Sequence, residues 1–319
     1  MKLKSTGKNA TRIFLITTGA LSAAFVGGTI AAAWLLVRPN KRTPDCIPRI
    51  RYGRIEPQTL ISADGVRLHA WVQYSRFADP NDWVLVLHGY RSDRTIQHYR
   101  RRFFARRGYN VVLLHFRGHG SSDSARISYG YHEAKDVEAA FNFIRSLRPG
   151  SNVRIGIDGI SMGAAAAAYA VGNGNIDPDW MILESCYDNI RNALKNRLAL
   201  RVGSSLTPIL AWPIEVVVEY LVRLRADDLD PAKALEKAHC PILLLSGDSE
   251  LVLKPVEIEY LYGCIPNPKR CVLFPGAGHE DFLVHDPRRY AKAVGSFLRD
   301  FSPHVDREDS TPVLGLARE

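Results

Sequence analysis

The chain has 319 residues, with 42 Lys and Arg against 33 Asp and Glu, which gives a formal net charge of +9. Hydrophobic residues make up 46% of the chain and charged residues 24%, which excludes bulk disorder, collagen and coiled coil. The length fits one large domain or two small ones. The excess charge is local, because residues 1–54 hold ten Lys or Arg and one Asp, and the remaining residues have no net charge.

The N-terminal region contains an uncharged apolar segment, residues 13–37, between basic flanks. As a helix this segment would be about 37 Å long, enough to cross a hydrocarbon core of about 30 Å. We therefore predict a basic flank over residues 1–12, a single transmembrane anchor over 13–37 and a Pro-rich linker over 38–56. A cleaved signal peptide is the alternative, since Ala31 and Ala33 provide small residues for cleavage. Basic residues on both flanks leave the side of the membrane open.

After the linker, the hydrophobic pattern predicts an alternation of strands and helices. Two short strands, residues 59–63 and 66–74, flank an Asp64-Gly65 turn. Further strands are predicted at 83–87, 111–115, 153–157, 180–183, 241–246 and 270–274, and helices at 95–107, 133–147, 162–171, 255–262 and 287–301. This order predicts an α/β fold over residues 57–301, a doubly wound and mostly parallel sheet with ligands at the carboxyl ends of its strands.

One long interval interrupts this alternation. Residues 186–240 separate two predicted strands and include a mixed apolar segment with Pro208 and Pro213. We predict that this insertion forms a small helical lid over the strand ends. The last segment, residues 302–319, is predicted to be a frayed tail, and no feature of the sequence indicates an oligomeric state.

A candidate nucleophile lies between a predicted strand and an Ala-rich helix. Residues 159–163 read Gly-Ile-Ser-Met-Gly, which fits G-x-S-x-G. In this context the motif predicts a nucleophile elbow, a strained turn that projects the Ser161 side chain from the sheet edge. The start of the helix would place the Met162 N–H beside an oxyanion. Tyr90, in a His-Gly-Tyr sequence after an earlier strand, could supply the second N–H donor.

A serine hydroxyl needs a base, and the base needs an orienting acid. His279 is the candidate base, because it lies in a glycine-containing loop directly after the last predicted strand. The acid should follow the preceding strand, where Asp248 and Glu250 both lie, and either carboxylate could accept a hydrogen bond from the imidazole. His119 lies in another loop that could be near the site.

These segments together resemble the α/β-hydrolase superfamily, in the family's order of serine, acid and histidine. The resemblance runs from about residue 55 to 301 and is closest to small-lid esterases and acyl-peptidase-like members with an N-terminal membrane anchor. It implies Ser161 as nucleophile, His279 as base, and the Tyr90 and Met162 amides as the oxyanion hole. By position it favours Glu250 as the acid, although the family usually has Asp there, which keeps Asp248 as the alternative. The matching segments are His88-Gly89, Arg117-Gly118-His119-Gly120, the serine motif, Gly247-Asp248-Ser249-Glu250 and Gly278-His279.

The resemblance predicts a membrane-anchored serine hydrolase that cleaves carboxylic esters or related acyl substrates, including lipids, through an acyl-enzyme. No cofactor and no metal are predicted. A peptidase, an acyltransferase and a non-catalytic membrane-anchored scaffold are the alternatives.

Seven arginines lie between residues 91 and 107. They could contact membrane phosphates or an acidic substrate, but the zero net charge of the domain favours a solvated helix face with acids supplied by neighbours in space. Nothing in the sequence indicates nucleic-acid binding.

Overall fold

The computed structural model describes residues 4–41, 47, 50, 53–92, 97–266 and 268–302. The predicted tail beyond Ser302, part of the predicted linker, and Cys46, Asp93 and Arg94 lie outside the described residues.

An eight-stranded sheet forms the centre of the domain, with strand order β1-β2-β4-β3-β5-β6-β7-β8. The strands are β1 Arg54–Ile61, β2 Arg67–Tyr74, β3 Asp82–Leu87, β4 Asn110–His115, β5 Arg154–Ile160, β6 Trp180–Glu184, β7 Ile242–Gly247 and β8 Lys269–Phe274. β2 pairs antiparallel with β1 and β4, and all other neighbours are parallel. The carboxyl ends of six strands, β3 to β8, therefore meet at one edge of the sheet.

Helices cover both faces of this sheet. They are α1 Lys4–Val37, α2 His98–Arg106, α3 Ala134–Ser146, α4 Met162–Gly172, α5 Ile190–Val202, α6 Thr207–Val222, α7 Pro231–Leu235, α8 Pro255–Cys264, α9 Phe282–His285 and α10 Pro287–Phe301. Alternate residues of β3 enter two separate apolar cores: Leu85 packs with α3 and α4, whereas Val84 packs with α2 and α10. The central strands are buried along their whole length for this reason.

The observed elements agree with the predicted alternation and with the α/β-hydrolase fold. β1 begins at Arg54, inside the predicted linker, because its register with β2 starts at the Arg54–Tyr74 pair. The four-residue helix α9 was not predicted, since one turn is too short to show a hydrophobic period. The insertion at residues 186–240 is helical, as predicted, and contains α5, α6, a short 3₁₀ turn and α7.

The end of α1 packs on the insertion. Ala33 and Val37 are buried against Ile214, Val218 and Val222 of α6. Upstream, residues 12–28 of α1 are exposed. By length and composition the part Arg12–Val37 could cross a membrane, and the same features fit either an anchor or a signal sequence.

Candidate active site

Ser161 lies in the sharp turn between β5 and α4. Its backbone has φ 52° and ψ −112°, a conformation that costs a non-glycine residue of order 1–3 kcal/mol. Hydrogen bonds hold the turn on both sides: the Ser161 N–H donates to the Glu184 carbonyl at 2.7 Å, and the Ala165 N–H donates to the Ser161 carbonyl at 3.0 Å. The strained turn directs the Ser161 side chain away from the sheet, towards the loops that follow the neighbouring strands.

The two glycines of the motif are required by close backbone contacts. A Cβ on Gly159 would lie 2.8 Å from the Ala164 nitrogen, and a Cβ on Gly163 would lie 2.5 Å from the Leu87 carbonyl oxygen. Both separations are too short for real carbon atoms. The glycines therefore allow α4 to begin directly against the ends of β5 and β3.

His279, in the loop between β8 and α9, connects the serine to a carboxylate. Its Nε2 lies 2.9 Å from Ser161 Oγ, and its Nδ1 lies 2.9 Å from Glu250 Oε2. The other carboxylate oxygen of Glu250 accepts a hydrogen bond from the Val252 N–H at 3.0 Å. The Glu250 side chain is only 1% exposed, so its bond to the imidazole is shielded from water. With Nδ1–H donating to Glu250, the lone pair of Nε2 can accept the Ser161 hydroxyl proton.

Asp248, the alternative acid, has different partners. Its Oδ1 accepts hydrogen bonds from the Gly276 N–H at 2.7 Å and from Ser249 Oγ at 3.0 Å. It therefore ties the loop after β7 to the loop after β8. The structure brings Glu250, and not Asp248, to the imidazole of His279.

The loop after β3 lies beside the serine. A Cβ built on Gly89 would be 3.6 Å from Ser161 Cβ, an ordinary contact distance. Within the described ranges, neither the Tyr90 N–H nor the Met162 N–H donates to a protein acceptor. Two N–H groups that stabilise an oxyanion must be available in this way. His88 supports this loop, because its Nδ1 bonds to the Gly89 carbonyl at 2.9 Å and its Nε2 accepts from the Phe116 N–H at 3.2 Å.

His119 lies beneath this loop, next to His88, with 4.9 Å between the ring centroids. Its Nδ1 bonds to the Arg117 carbonyl at 3.0 Å, and burial lowers its pKa. It is close to the site but has no bond to Ser161, His279 or Glu250 in the part of the chain that the structure describes.

The insertion contributes a side chain that the sequence patterns did not indicate. Arg197 of α5 places Nη2 3.3 Å from His279 Nε2, on the side of the ring that faces Ser161. Among the described residues, no carboxylate forms an ion pair with this guanidinium. A positive charge thus lies beside the candidate base. No motif marks it, because only the packing of the insertion carries α5 over the strand ends.

A buried ionic network lies behind the serine. Arg100 of α2 is fully buried and bonds to Glu184 at 2.7 Å, Asp281 at 2.8 Å and Asp158 at 3.2 Å. Three carboxyl groups share one guanidinium, and burial raises the pKa of Glu184 to about 8. Asp281 lies two residues after His279. It also caps α9, because its carboxylate accepts a hydrogen bond from the Leu283 N–H at 2.9 Å. The prediction of a solvated face is therefore wrong for Arg100, whereas the predicted acids from neighbouring elements are present.

No group of three or more His, Cys, Asp or Glu side chains in the described ranges is arranged to hold a metal ion. The centre of the acidic network is occupied by Arg100.

Comparison with known proteins agrees with this fold. Residues 78–228 match the family model described as "Serine aminopeptidase, S33". The chain is 27% identical to an Arabidopsis thaliana protein, "Alpha/beta hydrolase domain-containing protein WAV2", over 79% of this chain and 80% of that protein. It is 24% identical to the uncharacterized protein YqkD of Bacillus subtilis, over 62% of this chain and 65% of YqkD.

Solved structures give the same fold. The Pyrococcus furiosus esterase Pf2001 superposes with a TM-score of 0.67 at 22% identity, over 83% of this chain and 98% of that chain. The Rhodococcus esterase RhEst1 superposes with a TM-score of 0.56 at 17% identity, over 77% and 99%. The sheet order and the helices on both faces of the sheet define the α/β-hydrolase fold.

Proposed function

We propose that this protein is a serine hydrolase that cleaves carboxylic esters and is held at a membrane by α1. Ser161 is the nucleophile, His279 the general base and Glu250 the acid that orients the base. The observation that carries this proposal is the pair of 2.9 Å contacts that His279 makes, one to Ser161 Oγ and one to Glu250 Oε2.

In the proposed reaction, Ser161 Oγ attacks the acyl carbonyl carbon while His279 Nε2 takes the hydroxyl proton. The carbonyl oxygen becomes an oxyanion, which the Tyr90 and Met162 N–H groups stabilise. His279 then gives its proton to the leaving alkoxide, and the alcohol departs. In the second half, His279 takes a proton from water while the hydroxide adds to the acyl carbonyl carbon. His279 then returns this proton to Ser161 Oγ as the bond between Oγ and the acyl carbon breaks and the carboxylic acid leaves.

The charge at the site favours an ester over the N-terminal residue of a peptide. An aminopeptidase substrate carries an ammonium group close to the bond that is cleaved. Arg197 places a guanidinium beside His279 Nε2, which would repel that ammonium group.

Anchoring by α1 is proposed from its apolar length and from its contact with the domain. Residues 12–28 of α1 are exposed, so their apolar surface is available to lipid. A single pass is proposed. Sequencing of the mature N-terminus tests whether α1 is kept as an anchor, since a new terminus near Trp34 would indicate a cleaved signal peptide.

A fluorophosphonate probe tests the hydrolase mechanism. We expect the full chain to be labelled and Ser161→Ala to be unlabelled. Ser205→Ala, at an exposed position before α6, is the matched control and should label like the wild type. Absence of labelling in folded wild-type protein would rule out the mechanism and favour a non-catalytic scaffold. Product analysis with competing alcohols would separate hydrolysis from acyl transfer.

A further inference from the structure

Helix α6 is apolar on two opposite faces. Its inner face is buried against the end of α1 through Ile214, Val218 and Val222. Its outer face carries four large side chains that are between 44% and 81% exposed: Ile209, Trp212, Val216 and Tyr220. The spacing of three or four residues places these four side chains on one stripe of the helix. A helix that is apolar on two opposite faces normally has an apolar environment at each of them.

The two charged side chains of α6 do not belong to the outer stripe. Glu215 pairs with Arg191 of α5 at 2.7 Å. Glu219 accepts a hydrogen bond from the Ala226 N–H at 2.6 Å. Both acids are therefore bonded to the domain, and no charge of α6 needs to remain in water on its outer face.

The length of α1 gives the depth at which α6 would lie. The apolar part Arg12–Val37 has 26 residues and is about 39 Å long as a helix. A hydrocarbon core of about 30 Å would hold about 20 of these residues, which leaves about six at the end. Those last six residues include Ala33 and Val37, which pack on α6. The outer stripe of α6 would then begin where α1 leaves the hydrocarbon.

The aromatic side chains fit that depth. Trp34 of α1 and Trp212 and Tyr220 of α6 are all more than half exposed. Trp and Tyr are enriched at the level of lipid headgroups, where an apolar ring with one polar group is stabilised.

We propose that the outer stripe of α6 rests in the headgroup region of the lipid bilayer. The occupant is lipid because α6 packs on the end of α1, where that helix would leave the hydrocarbon, and because the exposed aromatic side chains of both helices suit that depth. The proposal rests on the membrane anchoring proposed above. Two contact points, α1 and α6, would fix the orientation of the domain. The insertion that carries Arg197 would face the membrane, so acyl groups of membrane lipids could reach Ser161 without passing through bulk water.

The distribution of tryptophans provides a direct test. Of the five tryptophans, Trp71, Trp83 and Trp180 are buried in the domain, and only Trp34 and Trp212 are exposed. Trp34→Phe therefore leaves Trp212 as the exposed reporter. We would reconstitute this full-length variant into phosphatidylcholine vesicles with and without lipids brominated near the headgroup end of the acyl chains. Bromolipid should quench the fluorescence, iodide in the buffer should quench it little, and most of the bromolipid effect should vanish when Trp212→Phe is added.

Flotation of the same vesicles separates the possible failures. If the protein does not float with the vesicles, the anchoring itself is wrong, and the α6 proposal falls with it. If the protein floats but iodide quenches Trp212 and bromolipid does not, α6 faces water and only the α6 proposal is overturned. Protection from both quenchers, together with concentration-dependent crosslinking, would show that a second copy of the chain covers the stripe, which also overturns it.

A kinetic comparison gives a second readout. Ile209→Ser with Trp212→Ser should lower the turnover of an acyl lipid in vesicles several-fold and leave the turnover of a water-soluble ester unchanged. Val256→Ser, an equally exposed apolar position on α8, should change neither. Equal loss with both substrates would contradict a role at the membrane. Because the fluorescence test needs no activity, a failure of the hydrolase proposal would be recognised separately.

Discussion

At the residue scale, two carboxylates two positions apart have separate tasks. Glu250 is buried against His279, whereas Asp248 bonds to the backbone of Gly276. Both residues are acids in the same loop, so their roles differ only through the group that each side chain contacts.

Glu250→Gln should lower the acylation rate about 10³-fold or more, because an amide cannot hold the imidazole in the tautomer that accepts the serine proton. Asp248→Asn should have a much smaller effect, through the loops that it connects. Rapid-mixing kinetics with a p-nitrophenyl ester would measure both rates. A larger loss for Asp248→Asn would contradict the assignment of the acid.

Arg197 should favour substrates with a negative charge near the acyl carbonyl. We expect Arg197→Gln to lower kcat/KM for an ester that carries a carboxylate about tenfold relative to its neutral analogue, since one charge-assisted hydrogen bond is lost. Arg201→Gln is the control, because Arg201 lies one turn further along α5 and is exposed. Equal changes for the charged and the neutral ester would argue against charge recognition.

At the element scale, the junction of β5 and α4 depends on glycine for space. Gly163→Ala should destabilise the fold by about 1–3 kcal/mol and reduce probe labelling, because the new methyl group would meet the Leu87 carbonyl at 2.5 Å. Gly263→Ala in α8 meets no atom within 4 Å and should stabilise its helix by about 0.5–1 kcal/mol. Thermal unfolding of the two variants would measure this contrast. Similar destabilisation by both would show that steric contact is not the cause.

The network around Arg100 links α2, β5, β6 and α9. Since the pKa of Glu184 is raised to about 8, well above about 4.3 for an unfolded glutamate, the folded state holds an extra proton between these values. This group's contribution to stability is fully present below about pH 4.3 and is lost as the pH rises through about 8.

Between pH 6 and 9, the free energy of unfolding should therefore fall by more than about 1 kcal/mol in the wild type relative to Glu184→Gln. Urea unfolding of the detergent-solubilised chain would measure the difference. Parallel pH profiles would show that Glu184 stays ionised beside Arg100.

At the scale of the whole molecule, the end of α1 is part of the domain. The Tyr90 and Tyr129 hydroxyls both donate to the Leu36 carbonyl, at 2.7 and 3.2 Å, and the Ile127 N–H donates to the Val37 carbonyl at 2.8 Å. The same segment covers the inner face of α6. The last turns of α1 thus support the loop that carries one candidate oxyanion donor.

Two truncations test this support. A chain that starts at residue 29 should keep these contacts and retain labelling of Ser161. A chain that starts at residue 38 should lose them, expose the inner face of α6, and label several-fold more slowly in its soluble fraction. Equal labelling of the two chains would show that α1 is only a tether.

Much of the fold was predictable because its strands and helices have regular hydrophobic periods. Residues 83–87 and 111–114 are apolar throughout, as central strands are, and the predicted helix over 287–301 has the observed bounds of α10. The start of β1 and helix α9 were less predictable, because pairing with β2 and a contact with Arg100 define them.

By itself, the sequence determined the α/β-hydrolase fold, the apolar N-terminal segment and the positions of Ser161 and His279, because hydrophobic period and glycine spacing are local properties of the chain. Only the tertiary structure showed which carboxylate lies against His279, that Arg197 reaches His279, and that Arg100 is buried. These facts depend on contacts between residues 29 to 181 positions apart, and no local pattern encodes such distances. The net charge of +9 thus belongs to the flanks of the apolar segment 13–37, while the charges that matter at the site lie on separate elements that folding brings together.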